Sequence, residues 1–107
     1  MALRFSVGNN KAGNPSWWLY GANDEKVAWA GEAFSSAANA RRAAVAFRDG
    51  ASTAEYEVYV DAGSAWRWRA WQSSDKVAAS GEAFHSRANA QRAADNVRLN
   101  AGNASGL

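Results

Sequence analysis

Glu32 and Glu82 occupy matching places fifty residues apart, and a repeated pair of carboxylates is the first arrangement here that could do acid–base chemistry. Two carboxyl groups can serve as general acid and general base in hydrolysis. Such a site also needs groups that bind the substrate and stabilise developing charge, and nothing beside either glutamate supplies them. Each glutamate precedes a predicted helix, where a carboxylate interacts favourably with exposed amides and the positive helix end. We therefore interpret both glutamates as structural.

His85 is the only histidine, and the chain contains no cysteine. One imidazole without thiolates or neighbouring acids does not make a metal centre, and the counterpart of His85 in the repeat is Ser35. The sequence contains no Ser-His-acid set, glycine-rich phosphate loop or metal-ligand spacing. We therefore expect no catalytic residues, no metal and no cofactor, and a protein that is not an enzyme.

The residues best suited to binding lie in the segment from Trp66 to Trp71, where tryptophan and arginine alternate. Alternation is typical of a strand and sends Arg67, Arg69 and Trp71 to one face. Aromatic rings beside arginines can stack bases and hold phosphates.

The preceding strand offers these arginines a different role. If Val60 pairs with Trp66 across a hairpin, Tyr59 lies opposite Arg67 and Glu57 opposite Arg69. The arginines would then be neutralised and stacked by their own neighbours in the sheet. Both interpretations, the structural lattice and the ligand-binding surface, follow from the same residues.

The elements that carry these residues occur twice, because the segment 26–44 returns at 76–94. A repeat of this length indicates one supersecondary unit copied in tandem. Each copy is predicted as three antiparallel strands followed by a helix. The predicted strands are 3–8, 16–22 and 26–30 in the first copy and 55–60, 66–71 and 76–80 in the second. The predicted helices are 37–48 and 87–99, the second capped by Ser86.

The predicted inner face of each helix is rich in alanine, which lets the helix approach the sheet closely. These inner residues are Ala40, Ala43, Ala44 and Phe47 in the first helix and Ala90, Ala93, Ala94 and Val97 in the second. Large aromatic side chains, Trp18, Trp66 and Trp68, are predicted to fill the space beneath them.

The first copy is predicted to have a longer first hairpin, by one residue, with Gly13-Asn14-Pro15 as its turn. Its outer face would then carry Arg4, Ser6, Trp17, Leu19, Ala28 and Ala30. This surface is more apolar than a solvated face, so we expect a second molecule or a stacked ligand to cover it. The predicted binding residues are Arg67, Arg69, Trp71, Tyr59, Trp17 and Leu19.

At 107 residues the chain is expected to form one domain, with repeat one at about 3–50 and repeat two at about 54–101. The absence of cysteine excludes disulfides. No apolar run near the start is typical of a signal peptide, and no segment is apolar enough to span a bilayer. We expect a cytoplasmic, monomeric protein without membrane contacts. The net charge of +2 is small for a domain that binds only polyphosphate.

The chain resembles the YegP-like family of small prokaryotic proteins built from copies of a roughly fifty-residue domain. The resemblance lies in the strand Tyr56 to Tyr59, the alternating strand Trp66 to Arg69, the Ser80-Gly81-Glu82-Ala83-Phe84 turn and the capped helix after Ser86. It implies an α+β fold in which two repeats share one sheet around a pseudo-twofold axis. The family has no established activity, so it implies no functional residues. The first copy departs from the pattern at Ser16 to Leu19, which lacks the alternating arginines.

These observations together favour a small non-enzymatic interaction module that meets an unidentified protein partner through an aromatic sheet face. The alternative is a nucleic-acid-binding protein that uses Arg and Trp on the exposed sheet, and an enzyme is a distant third.

Overall fold

In the computed structural model, which describes residues 2–107, six strands form one antiparallel sheet and two helices pack on one of its faces. The strands are β1 (Arg4–Asn9), β2 (Pro15–Tyr20), β3 (Lys26–Trp29), β4 (Glu55–Val60), β5 (Trp66–Gln72) and β6 (Asp75–Ser80), and the helices are α1 (Ala37–Gly50) and α2 (Arg87–Asn100). The predicted α+β class is confirmed.

The strands lie in the order β1-β2-β3-β6-β5-β4, so each half of the chain contributes three neighbouring strands. The halves meet at the centre, where β3 and β6 pair antiparallel through Ala28 with Ser80 and Trp29 with Ala79. Helix α1 packs beneath β1 and β2, and α2 packs beneath β4 and β5. The sheet is therefore continuous across the two halves.

Each helix begins at a capping serine, and the predicted cap at Ser86 is confirmed. Ser36 Oγ accepts from the backbone N–H of Asn39 at 3.0 Å, and Ser86 Oγ accepts from that of Asn89 at 3.1 Å. Such caps satisfy amide donors that the first helical turn leaves free.

The space between helices and sheet is filled by aromatic side chains beneath small helical residues. Trp17 stacks on Phe47 with ring centroids 5.3 Å apart, and Trp68 lies against Tyr56 at 5.7 Å. The fully buried helix residues are Ala40, Ala44 and Phe47 in α1 and Ala90, Ala94 and Val97 in α2. All six belong to the predicted inner faces.

Strand β2 has the opposite orientation from the one predicted. Trp17 and Leu19 are fully buried between the sheet and the helices. Ala28 in β3 and Ala30, just after this strand, are buried on the same side. Trp18, predicted to face inward, pairs with Ser6 and Trp29 on the other face. The predicted binding roles of Trp17 and Leu19 are therefore wrong, because neither side chain reaches the outer surface.

The error comes from the place of a single extra residue. The hairpin loops 10–14 and 61–65 have equal length, since Asn9 pairs with Pro15 and Val60 with Trp66. The extra residue of the first half lies instead in the connection after its second strand. There, residues 21–25 separate Tyr20 from its pairing partner Lys26. Because side chains alternate along a strand, a shift of one residue exchanges its two faces.

The chain ends beside the beginning of β1. The Phe5 N–H donates to the Ser105 carbonyl at 2.8 Å, and the Ser105 N–H donates to that of Leu3 at 3.2 Å. The second half thus completes one edge of the first half's sheet. Neither helix in residues 2–107 combines the length and apolarity needed to cross a bilayer.

Candidate binding site on the outer sheet face

The sheet face opposite the helices carries one row of side chains that crosses all six strands. Strand pairing sets this row, which we call the outer row, as Ser6, Trp18, Trp29, Ala79, Arg69 and Glu57. Its tryptophans are only half-buried. A sheet that is covered on one face leaves the alternate residues of each strand available for contacts on the other.

In the second half, Arg69, Tyr59, Trp71 and Glu57 form a cluster that we call the Arg69 cluster. The Arg69 guanidinium carbon lies 4.2 Å from the ring centroid of Tyr59 and 5.6 Å from that of Trp71. Arg69 Nε donates to Glu57 Oε1 at 2.5 Å, and this hydrogen bond lowers the pKa of the Glu57 carboxyl. The structural lattice predicted for Arg69 and Glu57 is confirmed, and the cation already has a counter-ion.

Arg67 lies apart from this cluster. Its Nε donates to Asp61 Oδ2 at 2.6 Å, within the hairpin loop between β4 and β5. Asp61 Oδ1 accepts from the backbone N–H groups of Gly63 and Ala65, and these contacts together lower the pKa of Asp61. Arg67 therefore stabilises the loop of the hairpin to which it belongs.

In the first half, the outer face forms a depression of about 580 Å³ that we call the Trp18–Trp29 pocket. The two indoles are cross-strand neighbours on β2 and β3. The Lys26 ammonium lies 5.9 Å from the centroid of the Trp18 ring, a cation–π arrangement. The β1–β2 hairpin supplies one wall, with Asn10 and Lys11, and Gly81 borders the pocket from the other half of the chain.

The two halves of the outer face differ in charge. Within the part of the chain that the structure describes, the lining of the Trp18–Trp29 pocket includes Lys11 and Lys26 and no acidic residue. A second depression of about 750 Å³ lies over the Arg69 cluster and is lined by Glu55 and Glu57 as well as Arg69. The first pocket is therefore cationic and aromatic, whereas the second is acidic with a paired arginine.

Sequence reasoning missed Trp18, Trp29 and Lys26 as site residues. The available signal was a difference between the two matching segments, because Trp29 stands where the segment 76–94 has Ala79. Trp29 is partly exposed, and its counterpart in the other half is only an alanine. Such a difference indicates an apolar contact surface that is present in one half alone.

The glutamates of the repeat do not meet each other as a pair. Glu82 lies beside Glu25, and burial together with a hydrogen bond to that carboxyl raises the pKa of Glu82. Glu32 instead contributes its backbone carbonyl, which accepts from Ser16 Oγ at 2.8 Å. Across residues 2–107, no group of three or more potential metal ligands comes together.

Two solved structures share this fold. One is the solution structure of a UPF0339 protein from Shewanella oneidensis, with a TM-score of 0.81 and 13% identity, covering 99% of this chain and 91% of that one. The other is YegP from E. coli, a protein of unknown function, with a TM-score of 0.80 and 14% identity over 98% and 90% of the two chains. No protein-family model and no curated protein matches the sequence. These neighbours support the YegP-like assignment at the level of fold, and neither brings an established biochemical activity.

Proposed function

We propose that this protein is a non-enzymatic interaction module that binds a partner protein on its outer sheet face, through the Trp18–Trp29 pocket. The observation that carries the proposal is two partly exposed tryptophans, paired on neighbouring strands, that line one open depression. Tryptophan is enriched at protein contact surfaces, where burying its large ring contributes much of the binding energy. Trp18 and Trp29 are therefore the expected anchors.

We also propose that the two halves are tandem copies related by a pseudo-twofold axis within one domain. The mirrored strand order supports this arrangement. Contacts between matching residues of the two halves support it further, because Gly31 lies beside the Lys76 side chain and Gly81 beside the backbone carbonyl of Lys26. The protein then acts as a monomer whose second half takes the place of a partner subunit.

On this view the copies have diverged in function on the outer face. Strand register makes Arg69 the counterpart of Trp18 and Ala79 the counterpart of Trp29. One half retains a self-contained ion-pair lattice, and the other presents two indoles. The half with the indoles is the one that binds.

A protein partner is favoured over nucleic acid by the charges of the second half. Arg69 and Arg67 are each paired with a carboxylate, so they are not free for phosphates. A polyphosphate strand that followed the outer row would also meet Glu57 on the edge strand, two residues from Glu55. A cytoplasmic setting fits a chain without cysteine, because disulfides are characteristic of oxidising compartments.

The proposal is tested by capture from an extract of the source cells, with and without nuclease. The immobilised protein is compared with the double variant Trp18→Ser/Trp29→Ser and with a matched control, Trp71→Ser, on the other half of the face. We expect specific proteins to be captured by the unaltered chain and by the control but lost from the double variant. Far-UV circular dichroism verifies that each variant is folded. Equal capture by all three proteins, or capture that nuclease abolishes, would contradict the proposal.

A further inference from the structure

We infer that the Trp18–Trp29 pocket takes a short acidic peptide segment, with an apolar side chain on the indoles and a carboxylate at Lys26 and Lys11. The inference rests on the function proposed above and names the chemistry of the partner. Its parts are an aromatic floor, two lysines at the rim and a lining without acids among residues 2–107.

The floor of the pocket is built to hold an apolar side chain. Trp18 and Trp29 are opposed on neighbouring strands and both line the pocket, so each indole contributes apolar surface to its floor. Gly81 adds no side chain to the wall that it borders. An aromatic or aliphatic side chain that packs on these indoles loses water on the side that faces the sheet, and its own peptide covers the other side, as for an interface anchor.

The lysines of the rim differ from the arginines of the same face. Arg4, Arg67 and Arg69 are each ion-paired, with Asp24, Asp61 and Glu57. Within the described residues, Lys11 and Lys26 form no ion pair, and both are exposed. These two ammonium groups are therefore available to a ligand carboxylate, beside an apolar floor that weakens the screening by water.

The charges beyond the pocket limit the ligand to a short segment. Along the outer row, Trp29 is followed by Ala79, Arg69 and Glu57. An extended acidic chain that continued in this direction would approach the carboxylate of Glu57, which is already occupied by Arg69. A few acidic residues around one apolar anchor satisfy the pocket without reaching that repulsion.

The test uses two matched arrays of acetylated, amidated heptapeptides. Every peptide carries a central Phe, Trp or Leu, and the first array places two Asp or Glu residues around it at varied positions. The second array places Asn or Gln at the same positions. The tightest acidic peptide is then synthesised in solution together with its neutral twin, and both are titrated by fluorescence anisotropy.

Two charge variants isolate the contribution of the lysine. Lys26→Gln removes a rim cation, and Lys76→Gln removes the cation at the same place in the second copy, outside the pocket. We expect Lys26→Gln to weaken binding of the acidic peptide by about three- to fivefold, as loss of a rim ion pair does. Lys76→Gln should leave the affinity unchanged, and raised salt should reduce the difference between the acidic peptide and its twin.

Several results would overturn the inference. Equal affinity for the acidic peptide and its twin, both sensitive to Trp18→Ser, would leave the interaction module standing but remove the acidic ligand. If no peptide of the two arrays binds, the pocket does not take a peptide ligand. The capture experiment tests the interaction module independently of this result. If a labelled oligo-dT binds more tightly than the best acidic peptide, and through the same tryptophans, the pocket is assigned to nucleic acid. Self-association in analytical ultracentrifugation that Trp18→Ser abolishes would assign it to a second copy of this chain.

Discussion

Trp17 and Trp18 are adjacent in β2, yet they belong to different parts of the molecule. Trp17 is fully buried and stacked on Phe47, and its ring also meets Phe5 edge-on at 5.5 Å. Trp18 lies on the outer face beside Trp29. Strand alternation alone separates them, so one residue stabilises the core and the next is free to serve binding.

Replacing these neighbours in turn tests their separation. Trp17→Ala should lower the free energy of unfolding by about 3–5 kcal/mol, because it leaves a cavity in the core. Trp18→Ala should cost far less, since its side chain is only partly buried on the outer face. Urea denaturation of the two variants measures both losses. Similar losses, or a larger loss for Trp18→Ala, would show that the faces of β2 are assigned wrongly.

The Glu57 ion pair should make stability depend on pH in a defined direction. Arg69 holds the pKa of Glu57 below its ordinary 4.5 in the folded protein. A lowered folded pKa contributes stability above the unfolded pKa, and that contribution is lost as the pH falls through the folded value. Below about pH 4.5, the unaltered protein should therefore lose stability more steeply than Glu57→Gln. The urea midpoint measured against pH gives both profiles, and parallel profiles would mean that Glu57 and Arg69 are not coupled.

At the scale of the element, the sequence predicts the strands and helices well because each has a local signal. Alternating residues predict β4 and β5 with the observed pairing of Glu57 with Arg69. Alanine spacing predicts the buried faces of both helices. These patterns are set by the backbone period of each element and need no knowledge of distant contacts.

The face of β2 could not be predicted in the same way. Its sequence, Pro15 to Tyr20, is apolar at successive positions rather than alternating, so it does not indicate which side is buried. Which face of β2 is buried depends on where the extra residue lies. The sequence prediction put that residue in the hairpin around Gly13, because this segment is rich in turn-forming residues. The structure instead places a short 3₁₀ turn, Ala22–Asp24, after β2. Turning β2 over places Trp18 on the outer face, and the pairing of Trp18 with Trp29 then places Trp29 there and turns Ala28 inward.

The close approach of α1 to the sheet predicts a steric effect. Ala44 is fully buried against the core, whereas Ala46 on the same helix is exposed. Ala44→Leu should destabilise by about 1–3 kcal/mol through overpacking. Ala46→Leu should stay within about 0.5 kcal/mol of the unaltered protein. Thermal and urea unfolding report the difference, and a neutral Ala44→Leu would place this helix farther from the sheet than the structure has it.

At the scale of the whole molecule, the two halves share one core and each supplies contacts at an edge of the other's sheet or helix. Phe47 and Val97, one from each half, belong to a single buried cluster. The Tyr56 hydroxyl in β4 donates to the carbonyl of Ala51, at the end of α1, at 2.8 Å. The pairing of Ser105 with β1 makes the same kind of connection at the opposite edge.

Dividing the chain at Ser52 should therefore leave two halves that are each unfolded or that dimerise. About fifty residues bury too little apolar surface to fold alone without a disulfide or metal. Circular dichroism and analytical ultracentrifugation of the separately expressed halves measure structure and association. A half that is monomeric and melts cooperatively would show that the shared sheet is not needed for folding.

The most direct test of the account is whether ligand reaches the outer indoles and leaves the inner ones untouched. Each of the six tryptophan side chains should give one indole N–H signal in a ¹H–¹⁵N correlation spectrum, which single substitutions can assign. Trp17 and Trp68 are internal references, since their indole nitrogens are buried and have no hydrogen-bond partner among residues 2–107. Titration with the tightest peptide from the arrays should shift the signals of Trp18 and Trp29 and leave those of Trp17 and Trp68 in place. Shifts confined to Trp71 or Trp66, or no indole shift at saturating peptide, would contradict the claim that the Trp18–Trp29 pocket is the binding site.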